Sequence, residues 1–403
     1  MKKVISKQQF AGVMLSLAMM SMLFVGCEKD DSDFNNYTVV VDDDDDSEEP
    51  EISEPATPND TISIAFADNT AVVSGENSSL VTVSGADVTV NDATSSGNMV
   101  LVLSGSTADG SLLVYRQRQF TVILNGVSIT NTDGPAINNQ CGKSLFVVLA
   151  DGTDNTLADG MEYAAAPVNA NGVAIDQKAA FFSEGQMYFR GTGTLNVYGN
   201  SKNGIASDDY IVFEEGTVNV SVADTGTNGV KVNDGLTING GVLTIDVAAD
   251  GARGIKNDAR TTITGGTTTI TTSGDCKIES INGIADTTSC ACIKSDSLFT
   301  MTEGKLTMTS TGDGGKGINC SENIEVSGGV FTAKTTGDNE VGKPKAVKSD
   351  TGIILSGGSF TASVKKSWAC DNGSDSELPA DQITIVGTPL MKSVAKKTVI
   401  VNF

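Results

Sequence analysis

The sequence of 403 residues contains no histidine, a single tryptophan and only 8 prolines. The absence of histidine excludes catalytic triads with an imidazole base and zinc sites with imidazole ligands. The lack of other tryptophans leaves little aromatic surface on which a ring-shaped ligand could stack, and we expect Tyr188, Tyr198 and Tyr210 to be the substitutes besides Trp368. Few prolines leave the backbone N–H groups free for hydrogen bonds between strands, which favours a structure rich in β-sheet.

Positive charge is also scarce, with 27 Lys and Arg against 50 Asp and Glu, and the formal net charge is −23. Residues 28–60 alone carry −13, and the body that follows them carries another −13. An acidic body without a basic stripe argues against nucleic acid as a partner. We expect the body to be a monomer.

The first 26 residues are typical of a bacterial signal peptide. A short basic stretch is followed by an apolar run, Phe10–Val25, that is too short for a membrane span. The run ends in Phe24-Val25-Gly26-Cys27, which resembles a lipobox although it has Phe where the usual pattern has Leu. We expect lipidation of Cys27 and attachment to a membrane through that lipid; a plain signal peptide is the alternative.

Residues 27–60 predict an extended acidic tether, because their like charges repel one another. Glu28-Lys29-Asp30-Asp31 resembles the signal that sends lipoproteins to the outer face of the outer membrane. We therefore expect an outer-membrane lipoprotein that is exposed on the cell surface. Six further cysteines could form disulfides in that compartment, but the sequence does not determine their pairing; they are Cys141, Cys276, Cys290, Cys292, Cys320 and Cys370.

A turn that ends in glycine recurs through the second half of the chain. Its spacings are 25, 25, 38, 25 and 29 residues, and the longer ones predict insertions at the segment of Cys276–Cys292 and near residues 339–344. The recurring pairs are Glu215-Gly216, Gly240-Gly241, Gly265-Gly266, Glu303-Gly304, Gly328-Gly329 and Gly357-Gly358.

Each repeat holds three short stretches in which apolar residues alternate with polar ones, the pattern of β-strands. Three strands in about 25 residues predict an all-β fold, a parallel β-helix in which stacked coils share one core. We expect one domain over residues 61–403, with irregular first coils and with residues 383–385 and 398–401 closing the other end. The third inward position of successive coils is occupied by Ile205, Val230, Ile255, Ile293, Ile318 and Val347.

Polar residues recur at the same period and should form ladders on consecutive coils, about 4.8 Å apart. One ladder contains Asp250, Asp275, Asp313 and Asp338, and further carboxylates include Asp258 and Asp296. These carboxylates either bind Ca²⁺ between coils or satisfy the backbone of the turns. A second ladder contains Lys231, Lys256, Lys294 and Lys348, which either receive the carboxylates of acidic sugars or pair with the aspartates.

The segment Gly126–Asn131, then Gly134–Ile137, then Leu149–Gly160 resembles a bacterial family of carbohydrate-binding domains. The later repeats Ala249-Asp250-Gly251 and Gly254-Ile255-Lys256 also fit that family, and the resemblance spans about residues 95–365. It implies a pectate-lyase-like, right-handed parallel β-helix that binds calcium and polysaccharides, including acidic ones. The chain departs from the family pattern at Asn319, at Cys276 and in the insertion.

These observations favour a non-catalytic, calcium-associated protein that binds polysaccharide, pectin-like or cellulosic, at the cell surface. One alternative is a calcium-dependent polysaccharide lyase, in which Arg253 or Arg260 would act as the base. The other alternative is a structural or adhesive surface stalk. The regular ladders are compatible with all three functions.

Overall fold

The structure is a computed structural model, and it describes residues 60–92, 97–169, 171–281, 284–338 and 341–403. The predicted signal peptide, Cys27 and almost all of the acidic tether lie outside the described residues. Within the described ranges, no helix has both the length and the apolar character needed to cross a bilayer.

The first coils are irregular, as predicted, and begin with two antiparallel hairpins, β1–β2 and β3–β4. A short 3₁₀ turn, Ser78–Leu80, joins these hairpins. The strands of this part are β1 (Asp60–Ala67), β2 (Thr70–Ser74), β3 (Val81–Ser84), β4 (Asp87–Asp92), β5 (Met99–Thr107), β6 (Ser111–Arg116), β7 (Phe120–Thr130), β8 (Ile137–Asn139), β9 (Leu145–Leu149) and β10 (Asp154–Ala158).

The middle of the chain forms regular coils, each with three short strands that pair in parallel with their counterparts on the next coil. The strands of this part, including β23 and β24 of an insertion outside the regular coils, are β11 (Ala179–Ser183), β12 (Met187–Arg190), β13 (Thr194–Gly199), β14 (Asn203–Ser207), β15 (Tyr210–Phe213), β16 (Thr217–Val222), β17 (Val230–Val232), β18 (Gly235–Ile238), β19 (Val242–Val247), β20 (Arg253–Asn257), β21 (Thr261–Ile263), β22 (Thr267–Thr272), β23 (Lys277–Ile281), β24 (Ile284–Thr288), β25 (Ala291–Ser295), β26 (Phe299–Met301), β27 (Lys305–Ser310), β28 (Lys316–Cys320), β29 (Ile324–Val326), β30 (Val330–Thr335), β31 (Lys345–Ser349), β32 (Ile353–Leu355), β33 (Ser359–Val364) and β34 (Trp368–Asp371).

The coils number about 11, with roughly 25 residues each, so the predicted parallel β-helix is confirmed. One strand of each coil belongs to a 12-stranded sheet, in the order β3-β4-β6-β8-β11-β14-β17-β20-β25-β28-β31-β34. The other two strands of each coil stack in two rows that the long strand β7 joins, because it pairs with both β9 and β10. The coils therefore present three strand faces around one core.

The predicted inward residues line this core in register. Ile255 pairs with Val230 on one side and with Ile293 on the other, and all three are fully buried. Phe331 and Phe360 stack on successive coils with ring centroids 4.8 Å apart. Each such side chain contributes about 1.5–3 kcal/mol when fully buried, and no single coil could bury its apolar face alone.

The glycine that ends each repeating turn has a left-handed backbone. Gly241, Gly266 and Gly329 have φ of +70°, +69° and +73°. A Cβ atom on Gly266 would also lie 2.6 Å from the carbonyl oxygen of Gly240 on the preceding coil. Both the dihedral angle and the close approach of successive turns therefore require glycine, which explains why these turns reveal the repeat in the sequence.

The predicted insertion at Cys276–Cys292 is an antiparallel hairpin, β23–β24, that projects between β22 and β25 without disturbing the register of the coils on either side. The opposite end is closed by a 3₁₀ turn, Pro379–Gln382, and three strands, of which β37 pairs antiparallel with β33. These strands are β35 (Thr384–Ile385), β36 (Met391–Ala395) and β37 (Thr398–Asn402). All six cysteines of the described residues are free thiols, and all but Cys276 are buried.

Candidate functional site

The predicted lysine ladder lies on the outer side of the 12-stranded sheet. Lys231 pairs in register with Lys256, and Lys256 pairs with Lys294. Asn319 takes the next position, Lys348 follows it, and the row ends at Asp371 on β34. The sequence period therefore places these side chains in one straight row along the axis of the coils.

Each lysine of this row contacts a carboxylate of a neighbouring row that contains Asp258, Asp296 and Asp350. Lys256 Nζ lies 2.7 Å from Asp258 Oδ1, and Lys231 reaches the other oxygen of the same carboxylate from the preceding coil. Lys294 pairs with Asp296 in the same way, and Lys348 with Asp350. The row is a strip of alternating charge, and its lysines keep between 19% and 30% of their side-chain surface exposed.

The pKa of Asp258 reflects this pairing. Burial on its own would raise the pKa, but the hydrogen bonds and charges of Lys231 and Lys256 outweigh burial and hold it below its ordinary value. Two ammonium groups therefore already occupy the positions where a cation would bind this carboxylate. Asp296 is paired with one ammonium group, that of Lys294, so a Ca²⁺ ion at either carboxylate would compete with a lysine.

The ladder of Asp250, Asp275, Asp313 and Asp338 is also in place, and its members are linked through the backbone. Asp250 Oδ1 accepts a hydrogen bond from the backbone N–H of Asp275 at 2.8 Å, and Asp275 Oδ1 accepts one from Asp313 at 2.7 Å. Asp313 Oδ1 accepts one from Asp338 at 2.5 Å. Each carboxylate thus holds the turn of the next coil, and this contact offsets the repulsion between neighbouring charges.

Asp159 plays the same part in the irregular coils. Its carboxylate accepts the backbone N–H groups of Asn200, Ser201 and Lys202. The distinctive Leu149–Gly160 segment therefore ends in a residue that organises a turn of the following coil. The sequence motif indicates a family resemblance but not this contact, because Asp159 and its partners are about forty residues apart in the chain.

Within the described ranges, one group of three carboxylates has ligand atoms within 4.8 Å of one another: Asp176, Glu184 and Asp208. Lys178 contacts both Asp176 and Asp208. Burial, helped by the charges of Asp208 and Asp176, raises the pKa of Glu184 to about 7. Asp208 lies two repeats of 25 residues before Asp258, but the period could not show that Asp176 and Glu184 approach it.

The aromatic residues occupy different environments. Tyr188 is fully buried against Phe146 and bonds to the hydroxyl of Tyr210, so it serves packing, whereas Tyr198 is 44% exposed. Trp368 lines a cleft of about 490 Å³ at the C-terminal end of the 12-stranded sheet, with Asp371, Asp375 and Glu377. Lys396 Nζ lies 4.6 Å from the centre of the Trp368 ring and covers part of it.

Arg253 and Arg260, the two possible bases of a lyase, lie in different parts of the coil. Arg253 is on β20, in register with Ala291 and, beyond it, with Lys316 on the outer side of the 12-stranded sheet. Arg260 follows that strand at the next corner, where its carbonyl accepts the backbone N–H of Leu236. Arg253 therefore shares a surface with the lysine row.

Comparison with known proteins gives consistent matches. A family model described as carbohydrate-binding domain-containing protein matches residues 84–366, which include the lysine row and the aspartate ladder but not Trp368. A carbohydrate-binding domain-containing protein of Acetivibrio thermocellus is 32% identical over 108 residues, or 26% of this chain and 36% of the relative. The match thus spans little more than a third of that relative's length.

A solved structure is similar over most of the coils. The polysaccharide lyase-like protein from C. thermocellum, solved as a gadolinium derivative, aligns with a TM-score of 0.52 and 27% sequence identity. The alignment covers 66% of this chain and 96% of that one. The family match and the solved structure therefore agree on the part of the chain that forms the coils.

Proposed function

The chain belongs to the family of carbohydrate-binding domain-containing proteins, and from that membership we propose that it binds an acidic polysaccharide without cleaving it. The binding surface is the outer side of the 12-stranded sheet. The bound state is associated with Ca²⁺. The protein acts at the cell surface, held there by a lipid on Cys27 and spaced from the membrane by residues 28–60.

The observation that carries this proposal is the lysine row. Lys231, Lys256, Lys294 and Lys348 project from the same strand position of their coils, and neighbouring coils are about 4.8 Å apart. An extended polymer laid along the axis would meet a lysine on each coil of the row except the one that carries Asn319. The paired aspartates keep the lysines ordered, and sugar carboxylates can compete for their remaining hydrogen-bond donors.

The calcium part of the proposal rests on the donor set. Ca²⁺ prefers six to eight oxygen ligands, many of them carboxylates. Asp176, Glu184 and Asp208 offer three carboxylates that converge, and a cation among them would replace Lys178. The ladder from Asp250 to Asp338 offers further carboxylates on successive coils, to which carboxylates of the glycan could add ligands.

Affinity electrophoresis against a panel of neutral and acidic glycans tests the proposal, with and without a chelator. We expect acidic glycans to retard the protein, and chelation to weaken the retardation. The double variant Lys256→Gln and Lys294→Gln should lose most of it. The matched control, Lys305→Gln with Lys365→Gln, removes the same charge from exposed positions outside the row and should behave as the wild type. If no glycan retards the protein, the binding proposal is wrong. The structural or adhesive surface stalk then remains as the function.

The lyase remains the second candidate, because Arg253 lies on the same face as the lysine row. A lyase would generate an unsaturated product from polygalacturonate, and its ultraviolet absorbance would increase with time in the presence of Ca²⁺. We expect no such increase. Turnover that Arg253→Ala abolishes and Arg260→Ala leaves intact would replace the binding function with a catalytic one.

A further inference from the structure

A pocket of about 250 Å³ opens on the outer side of the 12-stranded sheet beside the inserted hairpin. Four basic side chains line it: Arg253, Lys294, Lys316 and Lys348. Hydroxyl and amide groups complete the wall, and no described residue that lines the pocket is acidic. This composition contrasts with the rest of a body whose net charge is negative.

Lys316 is the basic residue that distinguishes this pocket from the lysine row. It is only 9% exposed, and its Nζ contacts the hydroxyl of Ser289. Lys294 and Lys348 have Asp296 and Asp350 as partners, whereas no carboxylate among the described side chains forms a salt bridge with Lys316. A buried ammonium group without a counter-charge is costly, and an anion bound beside it would offset that cost.

The register explains how the cations converge. Arg253, Ala291, Lys316 and Lys345 occupy equivalent positions on four successive coils. The small side chain of Ala291 leaves space between Arg253 and Lys316, about two coil spacings apart, or roughly 9–10 Å. The second row contributes Lys294 and Lys348 from the coils on either side of Asn319.

Asn319, which interrupts the lysine row between Lys294 and Lys348, also lines this pocket. A lysine there would add a fifth cation beside Lys316, whereas the amide offers a neutral donor and acceptor. Thr287, Thr288 and Ser289, at the end of the inserted hairpin, face the pocket from the other side. Cations surrounded by neutral hydrogen-bonding groups are the arrangement that recognises a charged group carried on a hydroxyl-rich molecule.

We propose that this pocket is an anion site, and that it takes the carboxylate or sulfate group of one sugar of the bound polysaccharide. Lys316 and Arg253 bind the anion from the two sides of Ala291 in the first row, and Lys294 and Lys348 add positive potential from the second. The inserted hairpin supplies hydroxyl groups that contact the sugar around the charged substituent. The sugar part of this inference rests on the proposed function, whereas the anion site itself does not.

The test uses the full chain and the variant Lys316→Met, which removes the charge and keeps the length of the side chain. Lys305→Met is the matched control on an exposed strand position of another face. Sodium sulfate, at constant ionic strength, should raise the melting temperature of the wild type and of the control but not of Lys316→Met. Trigalacturonate should bind Lys316→Met at least tenfold more weakly than the wild type, by calorimetry.

The outcomes separate the two proposals. If Lys316→Met responds to sulfate and binds trigalacturonate as the wild type does, the anion site is wrong, even where the glycan panel still shows binding. If sulfate stabilises only proteins that retain Lys316 but no glycan binds the wild type, the anion site stands and the polysaccharide function fails. A second variant, Arg253→Gln, should weaken both responses, and its failure to do so would remove Arg253 from the site.

Discussion

At the scale of single residues, the most informative positions are those where a charged group is buried or crowded. Burial, together with the nearby cations Lys348, Lys345 and Arg253, lowers the pKa of Lys316 to about 8, although Cys276 acts in the opposite direction. Glu184 shows the opposite case of an acid whose pKa is raised. Both groups make folding depend on pH in a direction that can be stated in advance.

Lys316 should make the folded state more stable at alkaline pH. Because its pKa is lower in the folded chain, the unfolded chain binds the proton more tightly between about pH 8 and pH 10.5, and stability increases as the pH rises through that interval. Lys316→Met lacks this dependence and should be more stable than the wild type at pH 7, by about 3 kcal/mol at most. Urea unfolding at pH 7 and pH 10, without sulfate or phosphate, measures the difference. Parallel pH dependences would contradict it.

Glu184 should destabilise the folded state at neutral and alkaline pH. Its pKa is about 7 in the folded chain against an ordinary 4.5, so the folded state binds the proton more tightly and stability falls as the pH rises through that window. Glu184→Gln should gain about 1 kcal/mol at pH 8, after allowance for partial exposure, and nothing at pH 4. Ca²⁺ should raise the melting temperature of the wild type more than that of the variant. If Ca²⁺ raises the melting temperature of both proteins equally, Ca²⁺ does not bind at Glu184.

At the scale of the elements, the turns link the coils in addition to the strands. A carboxylate of the ladder accepts the N–H of the equivalent residue one coil later, so each turn fixes the next. Sequence reasoning offered this backbone role and a calcium role as alternatives. The contacts establish the first, and the second stays a prediction.

Removing one carboxylate of the ladder should measure how much its hydrogen bond contributes to the stability of the fold. Asp313→Ala leaves the N–H of Asp338 without its side-chain acceptor and should cost about 1 kcal/mol. Asp313→Asn keeps an acceptor oxygen at the same position and should cost less. Thermal unfolding of the two variants provides the comparison. If both are equally destabilised, the charge of Asp313 matters rather than its hydrogen bond.

Much of the fold could be predicted from the sequence because its elements obey a strict period. Gly266 and Ile255 recur with their counterparts at fixed spacings, and the structure confirms both the turn and the inward position. The pocket around Lys316 could not be predicted in this way. Lys294 and Lys348 follow the period, but the inserted hairpin does not, and the row of Arg253, Ala291 and Lys316 carries a different residue type on each coil.

At the scale of the whole molecule, a parallel β-helix has two open ends where unpaired strands could bind other chains. Both ends are closed by antiparallel hairpins, β1–β2 at the start and β36–β37 at the finish. β37 covers the edge of β33, the last long strand of its row. These end structures keep the stack of coils from growing by addition of other molecules.

Deletion of residues 386–403 should therefore convert the protein into a self-associating form. The edge of β33 and the buried apolar side chains that pair with β37, Phe360 and Ala362, would become exposed. Light scattering coupled to size-exclusion chromatography should show oligomers whose mass increases with concentration. A charged pair on the exposed strand, Thr361→Lys with Ser363→Lys, should restore the smaller species. A truncated chain that elutes unchanged would show that the last coil protects its own edge.

The inserted hairpin has a consequence for how such a chain can change over time. The strands before and after β23–β24 keep the same partners that an uninterrupted repeat would give them. A segment can therefore be added at one corner without altering any core contact, and it can acquire substitutions freely while the scaffold stays constant. The corners of the coils are thus independent positions for diversification, and relatives could differ in specificity through corner loops alone while sharing every buried residue.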